Sequence, residues 1–298
     1  MIVEYVDFLL ILWYTIGVPQ YFIWVIFMRY KTYKFRYNDR LNCRTGSDGY
    51  QPKFLSKDNK YFVKCQCKLA GVYVDDWKVE IIASMLCDYF KFYHIVQRPC
   101  SVFIDNIELM GVESENFGYT NIRFLSFENI LEQIGHSSNE DWFVRTDAVG
   151  KIKNMSVMIS QACKTLFNSS IDAGLILDYM IECAVIDILV YNNDRHTRNY
   201  HIQGSANGVV SVAPMHDFGM GLFENDADFR NYNTWQECNR YCYIAPFGED
   251  AFDLLEMLDS AFNIKSWLRR YDKPEIHYSK FSSKKAYEYF KEIRCRIW

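Results

Sequence analysis

The most constraining feature of the sequence is an apolar run that gives way abruptly to a polar segment. Residues 171–191, IDAGLILDYMIECAVIDILVY, are apolar nearly all round a helix, with Asp172 near the start. A helix that is apolar on every side must be surrounded by other elements, so we expect it in the middle of a helical lobe. The next segment, 191–202 (YNNDRHTRNYHI), is strongly polar. Polar loops on a rigid scaffold are where binding and catalytic groups concentrate, so this segment is the first candidate site.

Composition narrows the class of protein. Of the 298 residues, 50% are hydrophobic and 17% aromatic, which indicates a folded globule with ample core. The net charge is −4, and the basic residues are scattered apart from one cluster at 29–40, so no specific nucleic-acid partner is expected. Ten cysteines without a CxxC pair argue against a zinc site or a disulfide framework, and they favour a reducing compartment.

The order of elements divides the chain into a strand-rich half and a helix-rich half. In the first half the patterns predict strands and turns over 30–74, including an exposed strand at 30–38, then a helix over 75–93 and a hairpin over 100–112 that turns at Asp105 and Asn106. In the second half they predict a short helix that ends at Gly135, helices from residue 155 onwards, a hairpin over 200–212 and mostly helical structure over 249–298.

The N-terminus carries 21 residues without a charge, at 8–28. This run is long enough to cross a bilayer, and the basic cluster after it predicts by the positive-inside rule that the rest of the chain is cytoplasmic. An acidic front end fits a cleaved signal peptide poorly. Three interpretations stay open: a single-pass membrane anchor, a helical hairpin broken at 17–19 and packed on the fold, or an extension upstream of a translation start at Met28.

Three polar side chains in the second half have the spacing of a metal–phosphate site. Asp194 and Asn199 are five residues apart in the polar loop, and Asp217 follows eighteen residues later, beyond the predicted hairpin. A loop and the end of the next strand pair can bring all three together. Amide and carboxylate oxygens, completed by phosphate oxygens and water, suit Mg²⁺. Phosphoryl transfer requires metal-bound phosphates and an acid that orients the nucleophile.

The segments NNDRHTRNYHI and PMHDFG resemble the catalytic and metal-binding segments of the HipA-like kinase family. Similar patterns, DRHxxN or DxxxxN followed by DFG, occur in phosphoinositide kinases and protein kinases. The resemblance implies that Asp194 is the catalytic acid that orients a hydroxyl and accepts its proton. It further implies that Asn199 and Asp217 bind magnesium, and that His196 faces the phosphates or holds the loop.

A kinase also requires a lysine on the strand-rich half and a glutamate that positions it. Lys64 lies in the apolar strand pattern KYFVKCQ, where an ammonium is expected only with a partner. Glu80 lies on the next predicted helix. The resemblance implies that Lys64 contacts the α- and β-phosphates and that Glu80 pairs with it.

Two further segments resemble the family. GSDGYQPKF is similar to its GxQPK phosphate loop, and GVESENF to its hinge, where backbone groups meet the adenine edge. Some members carry a regulatory serine at the position of Gly46, and here Ser47 is adjacent but offset, so regulation by loop phosphorylation stays an open question. The resemblance implies ATP contacts from Gly46, Ser47, Gly49, Tyr50, Gln51, Lys53, Lys64, Glu113, Ser114, His196, Asn199 and Asp217.

The resemblance covers about residues 45–220, without the small N-terminal domain of the longer toxins, and implies a two-lobed α+β protein-kinase-like fold. The expected division is a hydrophobic segment at 1–28, an N-lobe at 29–113 and a C-lobe at 114–298. The expected activity is Mg-dependent transfer from ATP to a serine or threonine of a protein, including the chain itself. The alternatives are a phosphoinositide or small-molecule kinase, and a pseudokinase scaffold that only binds nucleotide.

Three other polar residues near the motif are ambiguous. Asp187, on the apolar helix, is either a brace for the catalytic loop or a solvated acid. His201, which follows the loop in a predicted strand, is expected to be structural, and His216, before the DFG, is expected to be packed or hydrogen-bonded rather than catalytic.

Overall fold

A six-stranded mixed sheet dominates the first half of the chain in the computed structural model, which describes residues 5–8, 28–41, 51–69, 71–116, 123–136, 147–204, 210–219, 221–223, 232–240, 243–244 and 246–298. The strands before and after the first helix are β1 (Tyr5–Phe8), β2 (Met28–Phe35), β3 (Lys53–Leu55), β4 (Tyr61–Cys65), β5 (Lys68–Leu69), β6 (Val72–Tyr73), β7 (Arg98–Ile104) and β8 (Ile107–Glu115). The sheet order is β1-β2-β7-β8-β4-β3, while β5 and β6 form a separate ribbon. Strands β2 and β7 pair in parallel, and the other neighbours are antiparallel.

The hairpin of β7 and β8 turns where the sequence predicts. Asp105 and Asn106 form its two-residue loop, with φ of 47° and 71°. Two-residue hairpins need left-handed backbone at the turn, and Asp and Asn tolerate that region better than most residues. The turn therefore fixes the register that carries β8 towards the second half of the chain.

Strand β2 differs from the exposed strand that its sequence predicts. It lies inside the sheet between β1 and β7, and both Thr32 and Tyr33 are buried. The alternating pattern of 30–38 is real, but both faces of the strand are partly covered, so polar side chains on it do not indicate exposure.

The prediction of a single-pass membrane anchor at 8–28 is wrong, and the cytoplasmic assignment drawn from it loses its basis. Residues 9–27 lie outside the described residues, but the two ends of the run are paired, with Phe8 opposite Met28 in β1 and β2. A straight helix over 21 residues would separate these ends by about 30 Å. Within the described ranges, no helix is both long enough and apolar enough to cross a bilayer.

Eight helices are described, together with a small three-stranded sheet in the second half. The helices are α1 (Asp76–Phe90), α2 (Phe127–Gln133), α3 (Ala148–Phe167), α4 (Ala173–Val190), α5 (Trp235–Asn239), α6 (Ala251–Phe262), α7 (Ile264–Leu268) and α8 (Lys284–Ile297). The small sheet has the order β11-β10-β9, built from β9 (Arg123–Ser126), β10 (His201–Gly204) and β11 (Val210–Val212). The predicted hairpin over 200–212 is confirmed in its two strands, and its tip lies outside the described residues.

Helix α4 is the central helix that the apolar run predicts. The Asp172 side chain caps it by accepting from the amide of Gly174, and the helix ends at Tyr191, which has φ of 48°. Most of its side chains are buried on every side in the larger of two hydrophobic cores. The polar loop therefore starts from a fixed point in the interior.

Helix α1 belongs to the same large core. Val79, Ile82 and Leu86 are buried in it together with residues of α4. The helix ends three residues earlier than predicted because Lys91 adopts left-handed backbone, with φ of 60°. A smaller core lies on the other face of the six-stranded sheet.

Gly111 of β8 provides a test of the sheet register. A Cβ atom at this position would lie 2.3 Å from the carbonyl oxygen of Lys64, in the neighbouring strand. We expect Gly111→Ala to lower the free energy of unfolding by about 1–3 kcal/mol, because the overlap is with backbone that cannot rotate away. Urea denaturation measures this. Gly204→Ala, where a Cβ meets nothing within 4 Å, is the matched control. Equal effects of the two variants would contradict the register.

Candidate active site

Lys64 joins the sheet to the helical half of the chain. Its Nζ atom lies 2.7 Å from Oε1 of Glu80, on α1, and 2.8 Å from Oδ1 of Asp217. Lys64 and Glu80 are buried. Burial alone would lower the pKa of Lys64, but the carboxylates of Asp217 and Glu80 outweigh it and raise the pKa. The lysine is therefore a permanent cation between two acids.

Glu80 and Asp217 are fixed on both sides of this lysine. The second oxygen of Glu80 accepts from the amide of Phe218 at 3.2 Å. Asp217 has φ of 63°, an uncommon conformation for a residue with a side chain and one that concentrates at functional sites. Burial would raise the pKa of Asp217, but the ammonium groups of Lys64 and Lys53 outweigh it, so the pKa lies well below its usual range. Asp217 is anionic at neutral pH.

Lys53 brings a second positive charge to the same place. It lies in β3 directly opposite Lys64 in β4, and it is buried. Like charges placed opposite each other on neighbouring strands are destabilising unless something compensates them. Asp217 compensates both charges, and Glu80 also pairs with Lys64, so two carboxylates face the two ammonium groups.

A buried ion pair holds the polar loop. Nε and Nη2 of Arg195 each lie 2.9 Å from an oxygen of Asp187, on α4, in a bidentate pair. Asn192 donates to the same carboxylate at 2.8 Å, and Nη1 of Arg195 donates to the carbonyl of His216 at 2.8 Å. Of the two interpretations of Asp187, the brace is correct. Its partner, Arg195, was not predicted from the sequence. The guanidinium of Arg195 links the loop to His216, the residue before Asp217.

Asp194 and Asn199 are presented by this braced loop. The amide of Asp194 donates to Oδ1 of Asn192 at 3.2 Å, and Nδ2 of Asn199 donates to the carbonyl of Asp194 at 3.3 Å. Asp194 is partly exposed to solvent. Partial burial raises its pKa, although the nearby His196 opposes the shift. Burial lowers the pKa of His196, and its Nδ1 atom has no hydrogen-bond partner in the described part of the chain.

The residues that could hold a metal are few. In the described ranges no three His, Cys, Asp or Glu side chains cluster as a metal site. Asn199 offers its Oδ1 and Asp217 its carboxylate, which is one third exposed. This sparse set of oxygen donors fits Mg²⁺, which keeps waters and takes phosphate oxygens rather than a full protein cage.

A cavity of about 260 Å³ opens beside Lys64, between the sheet and the helical half. It is lined by Phe62, Lys64, Ile95, Gln97, Ser114, Glu115, Asn116, Phe124, His201 and His216. The two histidine rings are 4.7 Å apart. Burial lowers the pKa of His201 to about 3 and also lowers that of His216, so both rings are neutral.

The predicted site residues fall into three groups. Lys53, Lys64, Glu80 and Asp217 lie together, and Asp194, His196 and Asn199 lie on the braced loop beside them. Gly46, Ser47, Gly49 and Tyr50 lie outside the described residues. Gln51 sits against Gly219, where a Cβ would be 3.2 Å from its Oε1.

The predicted hinge and the two histidines lie around the cavity. Ser114 lines it, and the prediction that the backbones around Glu113 and Ser114 meet the adenine edge stays a prediction, while the side chain of Glu113 points to the opposite face of the sheet, where it meets Lys31. His201 and His216, expected to be structural, also line the cavity, and Nδ1 of His216 lies 3.1 Å from the carbonyl oxygen of Pro214. Their position two residues after Asn199 and one before Asp217 is the sequence signal that could have indicated this.

The fold and the arrangement around Lys64 define a class, a two-lobed protein-kinase-like α+β fold, as the sequence predicts. No protein-family model matches the chain, and no curated protein matches it. Among solved structures, the Helicobacter pylori proinflammatory kinase CtkA matches with a TM-score of 0.55 and 18% identity, over 85% of this chain and 88% of that one. This likeness confirms the fold that the resemblance to HipA-like kinases implies.

A second solved structure is the Shewanella oneidensis toxin–antitoxin complex of HipA, HipB and operator DNA. It matches with a TM-score of 0.42 and 13% identity, over 87% of this chain. The match covers 64% of that chain, so this protein spans less than two thirds of its length.

The Asp187–Arg195 pair gives a prediction for stability. Asp187→Asn leaves a buried guanidinium without its counter-ion, so we expect the free energy of unfolding to fall by about 3–5 kcal/mol. Chemical denaturation measures this. Asp178→Asn, on the same helix but exposed, is the control and should change stability by no more than about 0.5 kcal/mol. A loss below about 1 kcal/mol for Asp187→Asn would show that the pair does not hold the loop.

Proposed function

We propose that the protein is a kinase that transfers the terminal phosphoryl group of ATP to a serine or threonine hydroxyl of a protein. The observation that carries the proposal is the position of Lys64, bonded at once to Glu80 of α1 and to Asp217. A lysine held by a helix glutamate beside a metal-binding aspartate is the arrangement that phosphoryl transfer requires in protein kinases. The kinase-like fold supports it.

The phosphates of ATP would lie against the two opposed lysines. Lys64, held by Glu80, contacts the α- and β-phosphates, and Lys53 adds a second cation. Asn199 and Asp217 hold Mg²⁺, which neutralises charge on the phosphates when bound. The nucleoside occupies the adjoining cavity. These groups are placed before the reaction starts, so little reorganisation is needed as charge moves to the leaving ADP.

Asp194 acts on the acceptor. Its carboxylate orients the serine or threonine hydroxyl in line with the terminal phosphate and accepts the hydroxyl proton as the new O–P bond forms. The bond to the ADP oxygen breaks in the same step, so atoms and charge balance. His196, neutral and beside Asp194, faces the phosphates. The amide of Asp194 donates to Asn192 and its carbonyl accepts from Asn199, and these two hydrogen bonds hold the backbone that carries the carboxylate.

The other interpretations have less support. A phosphoinositide substrate was favoured by a membrane segment beside the basic cluster, and in the described part of the chain no helix could span a membrane. A scaffold that only binds nucleotide is typically missing one of the three key residues, whereas Lys64, Asp194 and Asp217 are all present.

The decisive experiment incubates the full-length chain with Mg-ATP and a generic protein acceptor, followed by intact-mass and phosphopeptide analysis. We expect phosphate on serine or threonine, on the acceptor or on the chain itself. Asp217→Asn should reduce transfer by at least about 100-fold, because it removes the carboxylate that serves both metal and lysine. Removal of magnesium with EDTA should stop transfer, and added Mg²⁺ should restore it. Asp178→Asn, the same change away from the site, should be as active as the wild type.

The outcomes separate the alternatives. Failure of Mg-ATP to bind the folded chain, measured by calorimetry, would remove the kinase proposal. Binding of Mg-ATP without transfer to any protein, but with transfer to a lipid vesicle or a small alcohol, would show that the substrate is a lipid or a small molecule rather than a protein. Binding without any transfer would support the scaffold.

A further inference from the structure

A buried carboxylate lies on the face of the sheet that points away from the cavity. Glu113 is only 6% exposed, and it stands opposite Val63 in β4, on the side of the smaller hydrophobic core. Residues directly opposite on antiparallel strands share a face, so the side chain is surrounded by apolar neighbours such as Cys100. A charge in such a place is costly unless it is paired and hydrogen-bonded. The phosphoryl-transfer chemistry proposed above does not use it.

The partners of Glu113 come from a strand that is not its neighbour. Nζ of Lys31 lies 3.1 Å from its Oε2 atom, and the hydroxyl of Tyr33 donates to the same oxygen. Both partners belong to β2, which is separated from β8 by β7. The ammonium of Lys31 also lies 3.3 Å from the ring centre of Tyr61, in β4. The cluster of Lys31, Tyr33, Tyr61 and Glu113 therefore ties three strands together across the intervening one.

This cluster lies directly behind the cavity. Phe62 and Ser114 are partners in β4 and β8, and both line the cavity. Tyr61 and Glu113 are their neighbours along the same two strands, and they point to the opposite face because strand side chains alternate. The cluster and the cavity wall lie on opposite faces of one sheet, so both are attached to the same backbone of β4 and β8.

Glu113 also lies where the pairing of β8 with β7 ends. Arg98, the first residue of β7, stands opposite Glu113. Beyond this point β8 has no pairing with β7, and the next three residues, Ser114–Asn116, line the cavity. Ser114 and Glu115 stay paired with β4 alone, so Glu113 is the last residue of β8 that is held from both sides.

We propose that Glu113 is a positioning residue for the nucleotide: anchored by Lys31 and Tyr33 of β2, it fixes β8 at the point where its pairing with β7 ends, and so positions Ser114–Asn116 beside the nucleoside. The inference rests on the proposed kinase function and adds to it. It makes β2 part of the nucleotide site although no residue of β2 lines the cavity. The anchored Glu113 would favour nucleotide binding equally in the ground state and in the transition state. Loss of this anchor should therefore raise KM and leave kcat unchanged.

The test uses the full-length chain and Mg-ATP as the probe. Kd is measured by calorimetry, and KM and kcat by phosphate transfer to the generic acceptor. We expect Glu113→Gln and Lys31→Met each to raise Kd and KM by about fivefold or more, the range of coupling between residues in one network. We expect kcat at saturating ATP to stay within about twofold of the wild type. The double variant should be no weaker than the worse single variant, because both remove the same ion pair.

Two controls and one milder variant make the test specific. Lys34→Met changes an exposed lysine of β2, and Glu108→Gln changes a carboxylate of β8 that accepts from Ser101 at 2.8 Å, away from the cavity. Both should bind Mg-ATP as the wild type does. Tyr33→Phe removes only the hydroxyl and keeps the ring in the core, so it reports on the cluster even if Glu113→Gln does not fold.

The outcomes distinguish a failure of the positioning role from a failure of the proposed kinase function. Wild-type affinity in folded Glu113→Gln or Tyr33→Phe, equal losses in the two control variants, or additive losses in the double variant would each overturn the positioning role while the kinase proposal stands. A wild-type chain that neither binds nor transfers from Mg-ATP would remove the proposed function, and this inference with it.

Discussion

The ammonium of Lys64 is the interaction on which the rest of the site depends. It bonds to Glu80 and to Asp217 at 2.7 and 2.8 Å, and these three residues come from a strand, a helix and the segment after the small sheet. A buried lysine without these acids would lose its charge, and Glu80 without the lysine would be a costly buried anion. The sheet, α1 and the Asp217 segment are thus held in one arrangement by a group that no single element could stabilise.

The elements that could be predicted from the sequence are those whose signals lie within one segment. The turn at Asp105 and Asn106 is set by local backbone preference, and the central helix by its continuous apolar run, and the structure has both as expected. The neighbours of β2 could not be predicted, because strand pairing is decided by tertiary contacts that leave no periodic pattern. For the same reason the apolar run at 8–28 resembles a membrane helix in its composition, although its two ends are opposite each other in a sheet.

The candidate site likewise contains features that could be predicted from the sequence and features that could not. The order and spacing of Asp194, Asn199 and Asp217 predicted one polar centre, because the loop and the strand pair after it leave few other arrangements. The buried guanidinium of Arg195 was missed, since an arginine in a polar loop is usually solvated and nothing in the sequence shows that Asp187 is its partner. The side chain of Glu113 was missed because a hinge residue is recognised by its backbone, while its side chain is directed by strand alternation to the other face.

The packing of α1 has a mechanical consequence for the cleft. Val79, Ile82 and Leu86 bury α1 in the core of the helical half, and the same helix also packs against β7 and β8 of the sheet. Because one ammonium serves both carboxylates, a displacement of β4 relative to α1 and the Asp217 segment lengthens both ion pairs at once. The position of β4 is therefore constrained more strongly than either ion pair alone would constrain it.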